Sequence, residues 1–374
     1  MLPYLEGKWG NASSREHAFG WDAQEAVDDA RAEVAALLNA KQNEIFFTSG
    51  ATESIHLALH GLFPVNASTT LGVLTTRVEH EAVLSTCAQL HKRGVPVEYL
   101  DVDQTGQLDL TALAAACVAH KPKVLAIQAA NNETGVLFPI RECAAIAHAH
   151  GALLFTDAAQ TLGKISLDSQ ADGFDLAAFS AHKLNGPKGI GALFIRGGRE
   201  AIPLEPQITG GGQEGGLRAG TLNVPAIVGF GEACRLARME MAEEIPRILV
   251  LRNRLEDSLL SRFPEIRIHG DRGNRLATTT NLRFPGIDAR ALIRDMHDVA
   301  VSTRSACSSG SSEPSHVLKA MGLSDEEAFA SIRFSLGRFT TKEEIDRTIE
   351  KTSASYRKLR ALSSTTPLTG SAES

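Results

Sequence analysis

From Asp22 to Ala40 apolar residues recur at Val27, Ala30, Val34, Leu37 and Leu38, the spacing of one helix face. The run EIFFT (Glu44 to Thr48) then reads as a short strand, and beyond SGATES the residues Ile55, Leu57, Ala58 and Leu59 open a new helix. Further along, the β-rich runs LGVLTT, PVEYL, KVLAIQ, ALLFTD, FDLAAFS and GALFI mostly alternate with Ala-rich helical stretches such as Leu108 to His120 and Pro139 to His150. That alternation predicts a layered α/β domain with a largely parallel sheet. After TGGGQEGGLRAGT the pattern changes to a long charged helix over Val224 to Arg262, strands near TTTNLRF and SIRFSL, and a closing helix from Thr341. The division expected is a large domain of residues 1–223, a small α+β domain of residues 224–362, and a disordered tail of residues 363–374 with almost nothing to bury.

Composition agrees with two packed domains, because the chain has 374 residues, 43% of them hydrophobic, and single cores stop growing at about 250–300 residues. A formal charge of −6 and a pI near 6.1 supply no basic field, which argues against direct nucleic-acid or anionic-membrane binding. The opening MLPYLEGKWGNASS has no apolar signal core, and no apolar run approaches the roughly 20 residues that span a bilayer. A cytoplasmic protein is expected. Five cysteines in a chain of this kind suit a reducing compartment and free thiols better than a disulfide framework.

Ligands of open α/β sheets bind outside the carboxyl ends of the strands, so polar strand ends are the first candidates. SGATES places Gly50, Ala51 and Thr52 where a strand turns into a helix, and free N–H groups beside a hydroxyl there suit a phosphate. The same residues are also ordinary helix caps. ALLFTDAAQ ends a buried strand on Asp157, with Gln160 following; such a carboxylate needs a cationic partner, for which a pyridinium nitrogen would serve, or it caps a helix. FSAHKLNGPKGIGALF puts His182 and Lys183 after an apolar strand and before glycines that permit close backbone approach. A lysine at such a mouth can lose solvation and form a Schiff base, although an isolated lysine is usually a solvated surface charge. Together a phosphate cradle, an acidic strand end and a Schiff-base lysine are the parts of a pyridoxal 5'-phosphate site. The spacing of His80, Cys87 and His91 matches no standard zinc pattern, so no metal is expected, and GGGQEGG lacks the flanking strand and helix of a dinucleotide fingerprint.

GNASSREHAFG, FTSGATES, VEHEAVL, NNETG, DAAQ, SAHKLNGPKGIGAL, GGGQEGGLRAGT, SACSSGSSEPSHVL and SIRFSLGRFT occur in that order. From Tyr4 to Leu362 the chain thereby resembles the cysteine desulfurases of the class V aminotransferase family, in the subgroup with a long cysteine loop. The resemblance implies the type I fold of pyridoxal-phosphate enzymes: a large domain on a mostly parallel seven-stranded sheet and a smaller C-terminal α+β domain carrying the Cys307 segment. It also implies that Lys183 holds the cofactor and moves the substrate α-proton, Asp157 keeps the pyridine nitrogen protonated, Gln160 bonds the ring hydroxyl, and His80 stacks on the ring and exchanges protons. Ala51, Thr52, Ser180 and His182 would hold the phosphate, and Thr221 would reach that of the neighbouring subunit in a homodimer. Asn132 would lie beside cofactor and substrate, and Arg333 would grip the carboxylate of L-cysteine, as a planar guanidinium can with two parallel bonds.

Cys87, Cys117, Cys143 and Cys234 sit in Ala-rich helical stretches and read as structural, whereas Cys307 lies in RSACSSGSSEPS, too poor in apolar groups to pack. The expectation is a reachable loop, and by the resemblance Cys307 takes sulfur from cysteine as a persulfide, releasing alanine. An iron–sulfur scaffold, a tRNA-thiolation protein or a DNA-phosphorothioation system would each suit as acceptor. Thiolate attack needs a local base or cation, for which His80 and Arg304 are candidates. Against the family pattern, the chain begins beyond an N-terminal strand and ATTP-like turn, Arg304 stands where glycine is common, Gly215 where arginine is frequent, and the tail lacks an apolar end. Another pyridoxal-phosphate lyase or aminotransferase of the same family, active without Cys307, and a cofactor-free scaffold subunit are the competing readings.

Overall fold

Strands of parallel sheets covered on both faces are apolar at nearly every position, and IFFT, LAAFS and GALFI are buried along their whole lengths. The structure, a computed structural model, describes residues 1–65, 70–303 and 313–365; Arg304, Cys307 and the tail from residue 366 lie outside them. The chain forms two compact units. The first holds residues 1–102, 108–131 and 137–242, and the second residues 103–107, 132–136 and those from Glu243 onward.

The first unit runs α1 (Leu2–Glu6), α2 (Ala18–Leu37), β1 (Ile45–Thr48), α3 (Ala51–Leu62), β2 (Val73–Thr76), α4 (Glu81–Lys92), β3 (Val97–Leu100), α5 (Leu110–His120), β4 (Val124–Ala126), α6 (Ile140–Ala149), β5 (Leu153–Asp157), β6 (Leu176–Ser180), β7 (Gly191–Ile195) and the first part of α7 (Val224–Arg262). Its seven strands lie in the order β1-β7-β6-β5-β4-β2-β3. Neighbours from β6 through β5, β4 and β2 to β3 are parallel, and β7 is antiparallel to both β6 and β1. The mostly parallel seven-stranded sheet expected from the sequence is therefore present. Because β7 reverses direction between β6 and β1, the C-terminal ends of β1, β2, β4, β5 and β6 share one edge. On one face Ile55, Leu59, Val83, Cys87 and Leu90 pack with Val73, Val124 and Phe155 in one buried cluster.

The second unit contains the rest of α7, β8 (Arg267–His269), β9 (Thr279–Arg283), α8 (Ala289–Asp295), α9 (His316–Ala320), α10 (Asp325–Phe329), β10 (Ser331–Ser335) and α11 (Lys342–Thr365). Its three strands form an antiparallel sheet in the order β10-β9-β8. Leu255, Leu259, Leu282, Phe284, Ile332 and Tyr356 build its core, with Tyr356 edge-on to Phe263 at 5.0 Å and to Phe284 at 5.3 Å. The tail was expected from residue 363, and α11 runs on to Thr365.

The unit boundary differs from the one expected at 223/224, because it falls inside α7, between Ala242 and Glu243. Ile227, Phe230, Cys234 and Ala237 are buried, and Phe230 meets Phe47 of β1 at 6.4 Å, whereas Ile248, Leu255 and Leu259 belong to the second core. Pro246, inside the helix, has no N–H to offer the carbonyl of Ala242, the residue at which the first unit ends. Periodicity within one unbroken helix carries no mark of such a change of core. Among the described residues no helix is long and apolar enough to cross a membrane.

The glycine-rich segment is anchored by a residue that is not glycine. Glu214, with φ of +47° beside Gly215 and Gly216, accepts two hydrogen bonds of 2.9 Å from Arg31 and one of 2.7 Å from the N–H of Phe47. Its side chain is 1% exposed and that of Arg31 15%. Removing one partner of such a pair strands the other charge, so Glu214→Ala is expected to lower the unfolding free energy by about 3 kcal/mol in urea denaturation.

Candidate active site

At the shared sheet edge β1 turns into α3 through Gly50, the N-cap residue, whose φ of +155° disfavours any side chain and which has no side chain to bond the first-turn amides. A Cβ at Gly191, the first residue of β7, would fall 2.6 Å from Gly50 Cα and 2.3 Å from the carbonyl oxygen of Phe179. Two glycines thus let the turn settle against the sheet, with Ser180 Oγ 3.7 Å from where a Gly50 Cβ would stand. Ala51 and Thr52 open α3 there, and the N–H groups of its first turn face outward from the helix without an intrahelical partner.

Ser180 Oγ shares a 2.9 Å hydrogen bond with His182 Nδ1. Burial lowers the pKa of His182, and the neighbouring positive charges of Lys183, Lys188 and Lys164 lower it further. Three ammonium groups whose fields reach one imidazole, beside a bare helix start, make a positive site, the complement of a phosphate. Lys164 and Lys188 were missed in the sequence reading, since neither lies at a strand end. Lys164 Nζ also reaches Gln160 Oε1 at 3.4 Å.

Asp157, the last residue of β5, is 8% exposed and accepts the N–H of Ala159 at 3.0 Å. Burial raises its pKa, while the charges of His80 and Lys183 and the Ala159 bond pull it back. The three residues therefore share one neighbourhood although they leave different strands. His80 caps α4, and its Nδ1 accepts the N–H of Ala82 at 3.1 Å, so Nε2 is the nitrogen that carries the proton of the neutral ring. Glu79, unmarked by the sequence reading, is fully buried just before it. Thr221 is exposed, beyond an Arg218 that donates to Glu53 of α3 at 2.8 Å.

In the second unit the carbonyl of Asn132 accepts the Arg333 guanidinium at 2.9 Å. Arg333 is largely buried, which lowers its pKa against the supporting charge of Glu133, and its Nε has no hydrogen-bond partner among the described residues. A buried guanidinium with an unmade bond is suited to an anion.

Four cysteines are described, and all are free and buried. Burial pushes the thiols of Cys87 and Cys143 up to about 12 and raises those of Cys117 and Cys234. None of these four is a thiolate at neutral pH. Cys307, the expected nucleophile, lies outside the described residues. The described residues contain no cluster of three or more His, Cys, Asp or Glu that could hold a metal ion.

The donor set, a positive cradle beside a buried carboxylate and an amine, fits pyridoxal phosphate. Comparison with known proteins agrees. The family described as Aminotransferase class-V matches residues 1–348. A relative from Anaeromyxobacter sp. (strain Fw109-5), "Cysteine desulfurase IscS", is 46% identical over 97% of this chain and 89% of its own length. Among solved structures, a "NifS-like protein" superposes with a TM-score of 0.88 at 35% identity, covering 96% of this chain and 94% of its own. Another, "SspA in complex with cysteine", has a TM-score of 0.76 at 34% identity over 91% of this chain and 94% of its own. The chain belongs to the class V aminotransferase family, as a pyridoxal-phosphate-dependent cysteine desulfurase.

Proposed function

We propose that Lys183, Asp157 and His80 form the catalytic floor on which free L-cysteine is desulfurated, and that Cys307 receives the sulfur. The observation that carries this reading is the buried carboxylate of Asp157 lying within the fields of both His80 and Lys183. Bound pyridoxal phosphate supplies an electron sink for the bonds at the substrate Cα. Lys183 would hold the cofactor through its ε-amine, and its Nζ would take the substrate α-proton. The negative charge of Asp157 holds a proton on the pyridine nitrogen, and Gln160 bonds the ring hydroxyl. The first-turn amides at Ala51 and Thr52, with Ser180 and His182, bind the phosphate. His80, oriented by the bond that its Nδ1 accepts from Ala82, would stack on the ring and present its Nε2–H as a hydrogen-bond donor.

Arg333 binds the cysteine carboxylate, and Asn132 lies beside substrate and cofactor. The thiolate of Cys307 attacks the substrate sulfur, the Cβ–S bond breaks with its electron pair returning to carbon, and protonated carbon leaves as alanine. The product on the enzyme is a Cys307 persulfide, which an acceptor protein removes. An iron–sulfur scaffold, a tRNA-thiolation protein and a DNA-phosphorothioation system each suit this sulfur donor as acceptor. We place the enzyme in the cytoplasm as a homodimer in which Thr221 reaches the partner's phosphate. Supporting this are the four free thiols and the exposed apolar Trp9, Phe19 and Trp21, at 75%, 71% and 58%.

Three substitutions test the assignment. Cys307→Ser is expected to keep the cofactor's visible absorbance while abolishing sulfide release and persulfide, read by peptide mass spectrometry after incubation with cysteine; retained turnover would assign a reaction that does not use this thiol. Lys183→Ala is expected to lose the absorbance of the covalently held cofactor. Arg333→Lys, which gives up the planar fork, is expected to raise KM for cysteine roughly tenfold to hundredfold.

A further inference from the structure

His80 can stack on a ring only if the turn from β2 to α4 holds it, and that turn is fixed by an unusual set of buried bonds. The carbonyl of Val78 accepts the side-chain amides of both Gln128, at 2.8 Å, and Asn131, at 3.0 Å. Glu79 Oε1 in turn accepts the hydroxyl of Thr76, at 2.8 Å, and the backbone N–H of Gln128, at 3.0 Å. A single carboxyl oxygen thus ties the end of β2 to the exit of β4, one residue before His80. Val78 and Glu79 are 1% and 0% exposed, so no solvent competes for these bonds.

The geometry points to Glu79 as the positioning residue of His80: it touches neither cofactor nor substrate and acts by locking the turn that presents the imidazole. This rests on the assignment of His80 to the cofactor ring made above. The carboxyl does this as a neutral acid. Burial pushes its pKa up to about 8, and the charge of Asp157, on β5, adds to the effect. Cys87 of α4 and Cys143 of α6 also face its field, each with its own thiol raised. A neutral Glu79 adds no second negative charge beside Asp157 at this sheet edge. Hydrogen-bond acceptance at one oxygen, without charge, is a role that an amide can fill and an apolar side chain cannot.

The test compares Glu79→Gln and Glu79→Ala in the full chain reconstituted with pyridoxal phosphate. The readouts are the dissociation constant for the cofactor, the pH midpoint of its absorbance band, and thermal melting of the apoprotein. Glu79→Gln is expected to stay within about twofold of the parent in affinity and to keep the parent's midpoint, as an isostere that accepts the same bonds does. Glu79→Ala is expected to weaken binding about tenfold and to displace the midpoint in the same direction as a His80→Ala control measured alongside. Parent-like binding and midpoint in a folded Glu79→Ala protein would overturn the inference, and so would a folded Glu79→Gln protein as impaired as the alanine variant. Should Glu79→Ala not fold, Thr76→Val removes one of the two bonds at nearly constant volume, and the same comparison decides. Identical spectra for the parent and Lys183→Ala would instead overturn the reading of the site, and this inference with it.

Discussion

A carboxylate cannot be buried at the end of a central strand without positive charge close by, and Asp157 is so placed. β5 lies between β4 and β6, so the residue has sheet on both sides. The charges that offset its burial come from both directions: His80 follows β2, and Lys183 follows β6. The parallel run of strands delivers all three to one edge. Without that shared direction these side chains, far apart in sequence, would not meet.

The same edge shows how glycine and charge make different contributions to the proposed anion site. Gly50 and Gly191 make room by having no side chain, while Ser180, His182 and the surrounding lysines supply polarity. Neither contribution suffices alone: a bare helix start is common, and clustered lysines are usually solvated. Their coincidence is what distinguishes the site.

Candidate residues were legible in the sequence at or just beyond strand ends, because a strand end fixes where the chain emerges. Asp157 and Ser180 close β5 and β6, and His182 and Lys183 follow Ser180 within three residues. Lys164, Lys188 and Glu79 did not stand out, since their roles depend on tertiary neighbours that carry no local pattern. The two cores were also legible, through alternation of short apolar strands with helices. The place where one core gives way to the other was not, because α7 keeps its helical periodicity while its buried side chains change company. Glu214, among glycines, is a buried ionic anchor whose partner Arg31 lies far back in the chain, a pairing that no local pattern marks.

The burial of Cys87, Cys117, Cys143 and Cys234 bears on more than packing. Sulfane sulfur hops readily between accessible thiolates, and an enzyme that carries it on one cysteine risks scattering it over others by exchange. Sealing four thiols inside helices, with their protons held tightly, removes those internal destinations. Sulfur handled by the proposed reaction then meets no competing thiolate among these four on its way to a recipient.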